Sequence, residues 1–177
     1  EWGPRALGNR SILADPRRAE MKEIVNSKIK FREPFRPFAP VILEEKAHEF
    51  FDGLPDTTTC TPARYMLLVL PWKDEVGKKV LAVNHMGTGR LQTIRRDWNP
   101  RYYDLVKRFG EIAGVPILMN TSFNLRGEPI VNTPADAWST FSRSEIDVLV
   151  LGKYVVRKDD NNPLINQTIG HAASLRD

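Results

Sequence analysis

The stretch NPRYYDLVKRFGEIAGVPILMNTSFN, residues 99–124, decides the fold. Asn99 is an N-cap residue, and Pro100 stands at the first helical position, where its missing N–H costs nothing. Tyr103, Val106, Phe109, Ile112 and Ala113 then recur at helical spacing until Gly114 closes the segment. Val115 to Met119 reads as a buried strand, and Asn120-Thr121-Ser122-Phe123-Asn124 follows as a polar loop at its carboxyl end. A helix that feeds a strand whose carboxyl end carries amides and hydroxyls is the pattern of an α/β domain, in which ligands gather at strand ends.

Working outward, Asp15-Pro16 repeats the cap-and-proline signal, and Met21, Ile24, Val25 and Ile29 predict a helix from Pro16 to Ile29. Pro34, Pro37 and Pro40 force an extended or turning path between Phe31 and Pro40. Val41 to Leu43 reads as a short strand, and Glu44 to Phe51 as one or two helical turns stopped by Asp52-Gly53 and Pro55. A polar loop, Asp56 to Pro62, leads to a core strand from Arg64 to Leu70 that Pro71 ends. Val80–Val83 and Arg90–Ile94 are expected as strands flanking the turn Gly87-Thr88-Gly89. Thr133-Pro134, with Asp136 in the first turn, starts a short helix to Ser142. Val148–Leu151 and Tyr154–Arg157 form a hairpin around Gly152-Lys153, and the residues from Asp159 onward read as a polar tail. Short helices interleaved with strands give an α/β fold with a mixed sheet and flanking helices.

At 177 residues and 20.2 kDa, 41% hydrophobic and 27% charged, the chain is long enough for one cored domain and is not a disordered or fibrous sequence. Its longest apolar stretch, Tyr65 to Pro71, is far short of the roughly 20 residues that cross a bilayer, so a soluble protein without membrane partners is expected. The single cysteine, Cys60, can make neither an internal disulfide nor a thiolate zinc cage, which suits a reducing compartment and a cytoplasmic location. The opening Glu1-Trp2-Gly3-Pro4 lacks the features of a signal peptide and reads as a cut inside a longer protein. The net charge of +4 sits in residues 1–36, with 9 basic and 5 acidic side chains, while residues 37–177 hold 17 of each. A focused anion site, rather than a broad nucleic-acid face, follows from that distribution, beside the plainer reading of a solvated basic surface.

Three segments carry chemistry. In Gly3-Pro4-Arg5-Ala6-Leu7-Gly8-Asn9-Arg10-Ser11, glycines that let backbone approach a ligand flank arginines whose planar forks match phosphate oxygens; ordinary turn glycines are the alternative. In Lys28-Ile29-Lys30-Phe31-Arg32-Glu33-Pro34-Phe35-Arg36-Pro37, four cations share a proline-stiffened loop fit for polyphosphate, unless Glu33 pairs with one of them and the others face water. Phe31, Phe35 and Phe38 are read as core anchors. In Asn120 to Asn124, neutral donors and acceptors can orient a nucleotide or acyl group, or satisfy their own turn. His48, His85 and His171 lack metal-ligand spacing, and nothing near Cys60 would activate its thiol.

Together these segments resemble the C-terminal region of the O-carbamoyltransferases that decorate nodulation factors and antibiotics. The resemblance rests on residues 3–13, on Arg32-Glu33-Pro34-Phe35-Arg36-Pro37-Phe38-Ala39-Pro40, on Asn120 to Asn124 and on Gly127-Glu128-Pro129-Ile130, and it runs from residue 1 to about 158. It implies a YrdC-like twisted mixed sheet with flanking helices over residues 1–158, followed by the tail at 159–177. It also implies ATP and carbamoyl phosphate as ligands, reacting to carbamoyl adenylate and pyrophosphate, with Mg2+ arriving on the nucleotide. The family's Lys-x-Arg and Thr-Ser-x-Asn elements look like Lys30-Phe31-Arg32 and Thr121-Ser122-Phe123-Asn124. On that basis Arg5, Lys30 and Arg36 would hold phosphate or carbamoyl-phosphate oxygens, and Arg32, Arg90, Asn120, Ser122 and Asn124 would bind the nucleotide. The family's N-terminal domain, similar to the actin-like sugar-kinase fold, carries the metal and completes transfer; this chain does not contain it, so only the activation half-reaction is expected. Where the family commonly shows His-x-Asp-Gly-Thr-x-Arg, this chain has the shorter His85-Met86-Gly87-Thr88-Gly89-Arg90, without the aspartate. A non-catalytic nucleotide- or RNA-binding module is the alternative, and the wording of Arg32 to Pro40 disfavours a threonylcarbamoyl-adenylate synthase.

Overall fold

A computed structural model describes residues 4–31, 33, 35–55 and 60–159. It resolves into two compact units, the first made of Glu1–Val25 and Glu33–Ser122, the second of Asn26–Arg32 and Phe123–Asp177.

The first unit opens with a 3-10 turn, Pro4–Gly8, followed by strand β1 (Ser11–Ala14) and helix α1 (Glu20–Val25). Strand β2 (Ala39–Leu43) is buried along its whole length and leads into a 3-10 turn, Glu44–Lys46, and helix α2 (Ala47–Phe50). Helix α3 (Thr61–Arg64), strand β3 (Leu68–Pro71), the one-turn helix α4 (Asp74–Gly77), strand β4 (Thr88–Ile94), helix α5 (Pro100–Ala113) and strand β5 (Ile117–Ser122) complete it. The sheet order is β1-β5-β2-β4-β3, with β2 and β4 parallel and every other pair antiparallel. This is the mixed α/β sheet with flanking helices that the resemblance implies.

The deciding stretch folds as its spacing requires. Asn99 accepts from the Tyr102 amide at 3.2 Å, and Gly114 ends α5 at φ +76 with its N–H on the Gly110 carbonyl. Tyr102 and Val106 pack from α5 onto Val41, Leu43, Ile94 and Leu118 of three adjacent strands, so one sheet face is closed by this helix. Covering that face is worth about 1.5–3 kcal/mol per large apolar side chain, which makes α5 the chief anchor of the unit.

In the second unit, a π-helical turn, Asn26–Lys30, lies with helix α6 (Pro134–Ser142) and the hairpin of β6 (Val148–Leu151) and β7 (Tyr154–Arg157). Thr133 and Asp136 cap α6 reciprocally, through Asp136 N to Thr133 Oγ1 at 3.1 Å and Thr133 N to Asp136 Oδ2 at 2.8 Å. Lys158 closes the other end by donating to the carbonyls of Phe141, Ser142 and Ser144.

Several expected elements differ. The helix expected over Pro16–Ile29 is α-helical only from Glu20 to Val25, then widens into the π turn. Val80–Val83 is a turn, not a strand: Ala82 N bonds the Pro16 carbonyl at 3.0 Å and Val83 N bonds Val80 at 3.0 Å, so its apolar run packs as an irregular segment. The partner of β4 is instead β3, in the register Leu70↔Gly89. Arg64–Leu70 is not a core strand; Pro62 starts a helical turn there, and β3 is an edge strand exposed at alternate residues. Asn120, Thr121 and Ser122 belong to β5 rather than to a loop, since they pair with Leu13, Ile12 and Ser11. Of the three phenylalanines read as anchors, only Phe38 is buried, at 1% exposure, while Phe31 and Phe35 are exposed. The tail expected from Asp159 lies, beyond that residue, outside the described residues, as does part of the Asp56–Pro62 loop.

Candidate functional site

Alternation along the strands puts Asn120 on the same sheet face as Leu118, and Arg90 and Gln92 on the same face as Ile94. Beyond the end of the area that α5 covers, this face turns from apolar to polar. Ala39 of β2 lies opposite Asn120, and Val41 lies opposite Gln92. Asn120 Nδ2 reaches across β2 to donate to Gln92 Oε1 at 2.6 Å, and the small Ala39 leaves room for that bond. Gln92 Nε2 in turn donates to the Arg64 carbonyl at 3.4 Å. Asn120 Oδ1 and the Nε atoms of Arg64 and Arg90 are buried with no hydrogen-bond partner among the described residues.

The electrostatics favour an anion. Burial lowers the Arg90 pKa from the ordinary guanidinium value, so its positive charge is incompletely solvated. The Arg64 guanidinium lies 4.2 Å from the Trp98 ring centroid and 5.4 Å from that of Tyr65, which holds it as a planar cation against aromatic faces. Arg5 donates to Met66 Sδ at 2.9 Å, and both residues have left-handed backbone, φ +56 and +57. Gly8, at φ +101, presses against the Tyr102 ring so closely that a Cβ there would lie 2.1 Å from Cδ1. Burial pushes the Tyr102 phenol well above its usual range, against the opposing pull of the Arg5 charge and the Ser11 hydroxyl. The N-terminal arginine segment is thus seated on α5 through a contact that only glycine allows.

In this first unit the structure brings Arg5, Arg90, Asn120 and Ser122 of the sequence-derived set onto the elements around one sheet face, with Ser122 opposite Ser11 across β1 and β5. Arg36 belongs to the same unit but is solvent-exposed and pairs with Glu33 at 3.4 Å. In the second unit, Lys30 is 6% exposed and donates to Asn124 at its carbonyl, 2.9 Å, and at Oδ1, 2.8 Å. Asn124 Nδ2 donates on to the Glu128 carbonyl at 2.7 Å. The Lys-x-Arg lysine and the last residue of the Thr-Ser-x-Asn element therefore meet, although 94 residues separate them. Arg32 lies outside the described residues. Sequence reasoning missed Arg64 and Gln92. The signal for Gln92 was present as the one amide in the expected strand Arg90–Ile94, two residues from Arg90; Arg64 was hidden by its assignment to a strand.

Among the described residues no group of three or more His, Cys, Asp or Glu side chains is placed to hold a metal ion. No helix of the described residues is long and apolar enough to cross a membrane.

Fold and site together define an α/β domain with a cationic, amide-bearing sheet face. Residues 1–158 match the family model described as the carbamoyltransferase C-terminus, and the chain belongs to that family. It is 50% identical over 159 residues to nodulation protein NolO of Bradyrhizobium diazoefficiens, covering 89% of this chain and 28% of that protein. It is 49% identical over 164 residues to nodulation protein NolNO of Sinorhizobium fredii, covering 92% of this chain and 24% of the relative. Nodulation protein U of Rhizobium tropici is 43% identical over 129 residues, covering 72% and 21%. The chain thus spans about a quarter of the length of these relatives.

Proposed function

We propose that this domain carries out the activating half of an O-carbamoyl transfer, in which carbamoyl phosphate and ATP are converted to carbamoyl adenylate and pyrophosphate. Atoms balance when water and the release of orthophosphate turn carbamoyl phosphate into carbamate, whose oxygen then attacks the α-phosphorus and displaces pyrophosphate. The observation that carries the reading is the family match across residues 1–158. The site fits it: negative charge grows on the leaving pyrophosphate, and preorganised cations in a poorly hydrated setting stabilise such charge most.

In this reading Arg90 and Arg5 hold phosphate oxygens at the sheet face of the first unit, and the family's Lys-x-Arg element assigns Lys30 a phosphate role. Arg36 leaves its exposed partner Glu33 for the ligand, an exchange that costs little because exposed ion pairs are worth about 0–1 kcal/mol. Ser122 orients the nucleotide. Magnesium enters as the counter-ion of ATP, and its chemistry there is charge neutralisation on the phosphates. Transfer to an acceptor hydroxyl would fall to the family's other domain.

The test is pyrophosphate release from ATP by the purified chain. Release should require carbamoyl phosphate and fall at least about tenfold in Lys30→Ala and in Arg36→Ala, as for loss of a charge-assisted contact in the transition state. Salt-sensitive RNA binding without pyrophosphate release would point to the non-catalytic module instead.

A further inference from the structure

We propose that Asn120 is the residue that reads the amino end of the carbamoyl group, accepting a hydrogen bond from its NH2 at Oδ1 and so selecting carbamoyl over the isosteric acetyl group. The inference rests on the carbamoyl-activating reading and adds to it a residue that sets specificity. Its basis is a chain of bonds with a fixed polarity. The Arg64 carbonyl can only accept, so Gln92 must present Nε2 to it. That leaves Gln92 Oε1 facing Asn120, which must answer with Nδ2, at 2.6 Å. Neither amide can flip without setting acceptor against acceptor or donor against donor. Asn120 Oδ1 is therefore an acceptor by construction, in a residue of 0% exposure, with no partner among the described residues.

Such an atom is ill suited to a phosphate. Phosphate oxygens are themselves acceptors, and the donors they need are supplied by Arg90 and Arg5. The group that satisfies Oδ1 must donate an N–H or an O–H, and the amine is the one donor that carbamoyl phosphate carries. In carbamoyl phosphate the amine and the phosphate oxygen hang on one carbon, so a site for it needs an acceptor close to a guanidinium. Asn120 and Arg90 share one sheet face on strands that flank β2: Asn120 stands opposite Ala39, and Arg90 stands two residues before Gln92, the partner of Val41. The exocyclic amine of adenine offers the same donor chemistry, but the whole nucleoside separates it from the phosphates. Because Oδ1 is closed to water, an entering ligand must displace a side chain.

The experiment is calorimetric titration of the 177-residue chain with two stable isosteres, phosphonoacetamide, which carries the NH2, and acetonylphosphonate, which carries a methyl in its place. A buried acceptor left unpaired predicts that the amide binds about ten- to a hundredfold more tightly. Asn120→Ala and Gln92→Met should each bring the two affinities within about threefold. Should Asn120→Ala fail to fold, Gln92→Met decides, since it removes the polarity relay and leaves Asn120 in place. Equal affinities in the wild type, or a preference that survives both substitutions, overturns the inference while leaving carbamoyl activation standing. Binding of neither compound overturns both. A parallel pair, ATP and the triphosphate of purine riboside, which lacks the exocyclic amine, separates the adenine source; preference for ATP that disappears in Asn120→Ala assigns Oδ1 to adenine and also overturns it.

Discussion

Gly8 shows how much a single position can carry. Its φ of +101 is open only to glycine at low cost, and a Cβ would enter the Tyr102 ring at 2.1 Å. Gly8→Ala should therefore destabilise the first unit by about 2–4 kcal/mol, adding overpacking to backbone strain. Gly53, at φ +67 with nothing within 4 Å, is the control, and Gly53→Ala should cost only about 1–2 kcal/mol. Urea unfolding of the two variants measures the difference. Glu44 gives a second test at this scale. Burial raises its pKa above the ordinary carboxylate value, while Arg95, 3.9 Å away, offsets part of the shift. The unfolded chain loses this proton first, so stability falls as pH rises through the window between the unfolded and folded pKa values, and the loss persists above it. Glu44→Gln should melt higher than the wild type at pH about 7 and lose that advantage near pH about 4. Thermal melts at the two values check the sign.

At the scale of elements, local signals and tertiary packing divided the structure between them. Helix α6 was legible because Thr133, Pro134 and Asp136 write its start in four residues, and the helix carries the full capping box. Thr133→Ala should cost about 1 kcal/mol and speed amide exchange in Pro134–Ser142, read by hydrogen exchange. The β6–β7 hairpin was equally plain, since Gly152 at φ +60 supplies the left-handed turn residue between two apolar runs. What could not be read was pairing at a distance. Val80–Val83 has a strand's composition but no sheet neighbour, because β3 occupies the edge of β4. The carboxyl end of β5 looked like a loop because its polar residues suggested solvent, whereas Asn120 is held inside the sheet by Gln92.

Across the whole chain, the basic residues that sequence alone drew together have different placements. Arg5 and Arg90 sit around the polar sheet face, Lys30 is buried against Asn124, and Arg36 is held at the surface by Glu33. Arg64 and Gln92 emerged only in the folded structure, because their place lies in which atom faces which, and residue order does not encode that. The functional account accordingly stands on chemistry more than on charge: cations for phosphates, and an oriented amide for the carbamoyl group. Its most direct measurement is mass spectrometry of the purified chain incubated with ATP and carbon-13-labelled carbamoyl phosphate. The account predicts a labelled carbamoyl adenylate that forms together with pyrophosphate and is lost in Lys30→Ala. Unlabelled AMP as the sole adenylate, or no turnover by folded protein at high concentration, would contradict it.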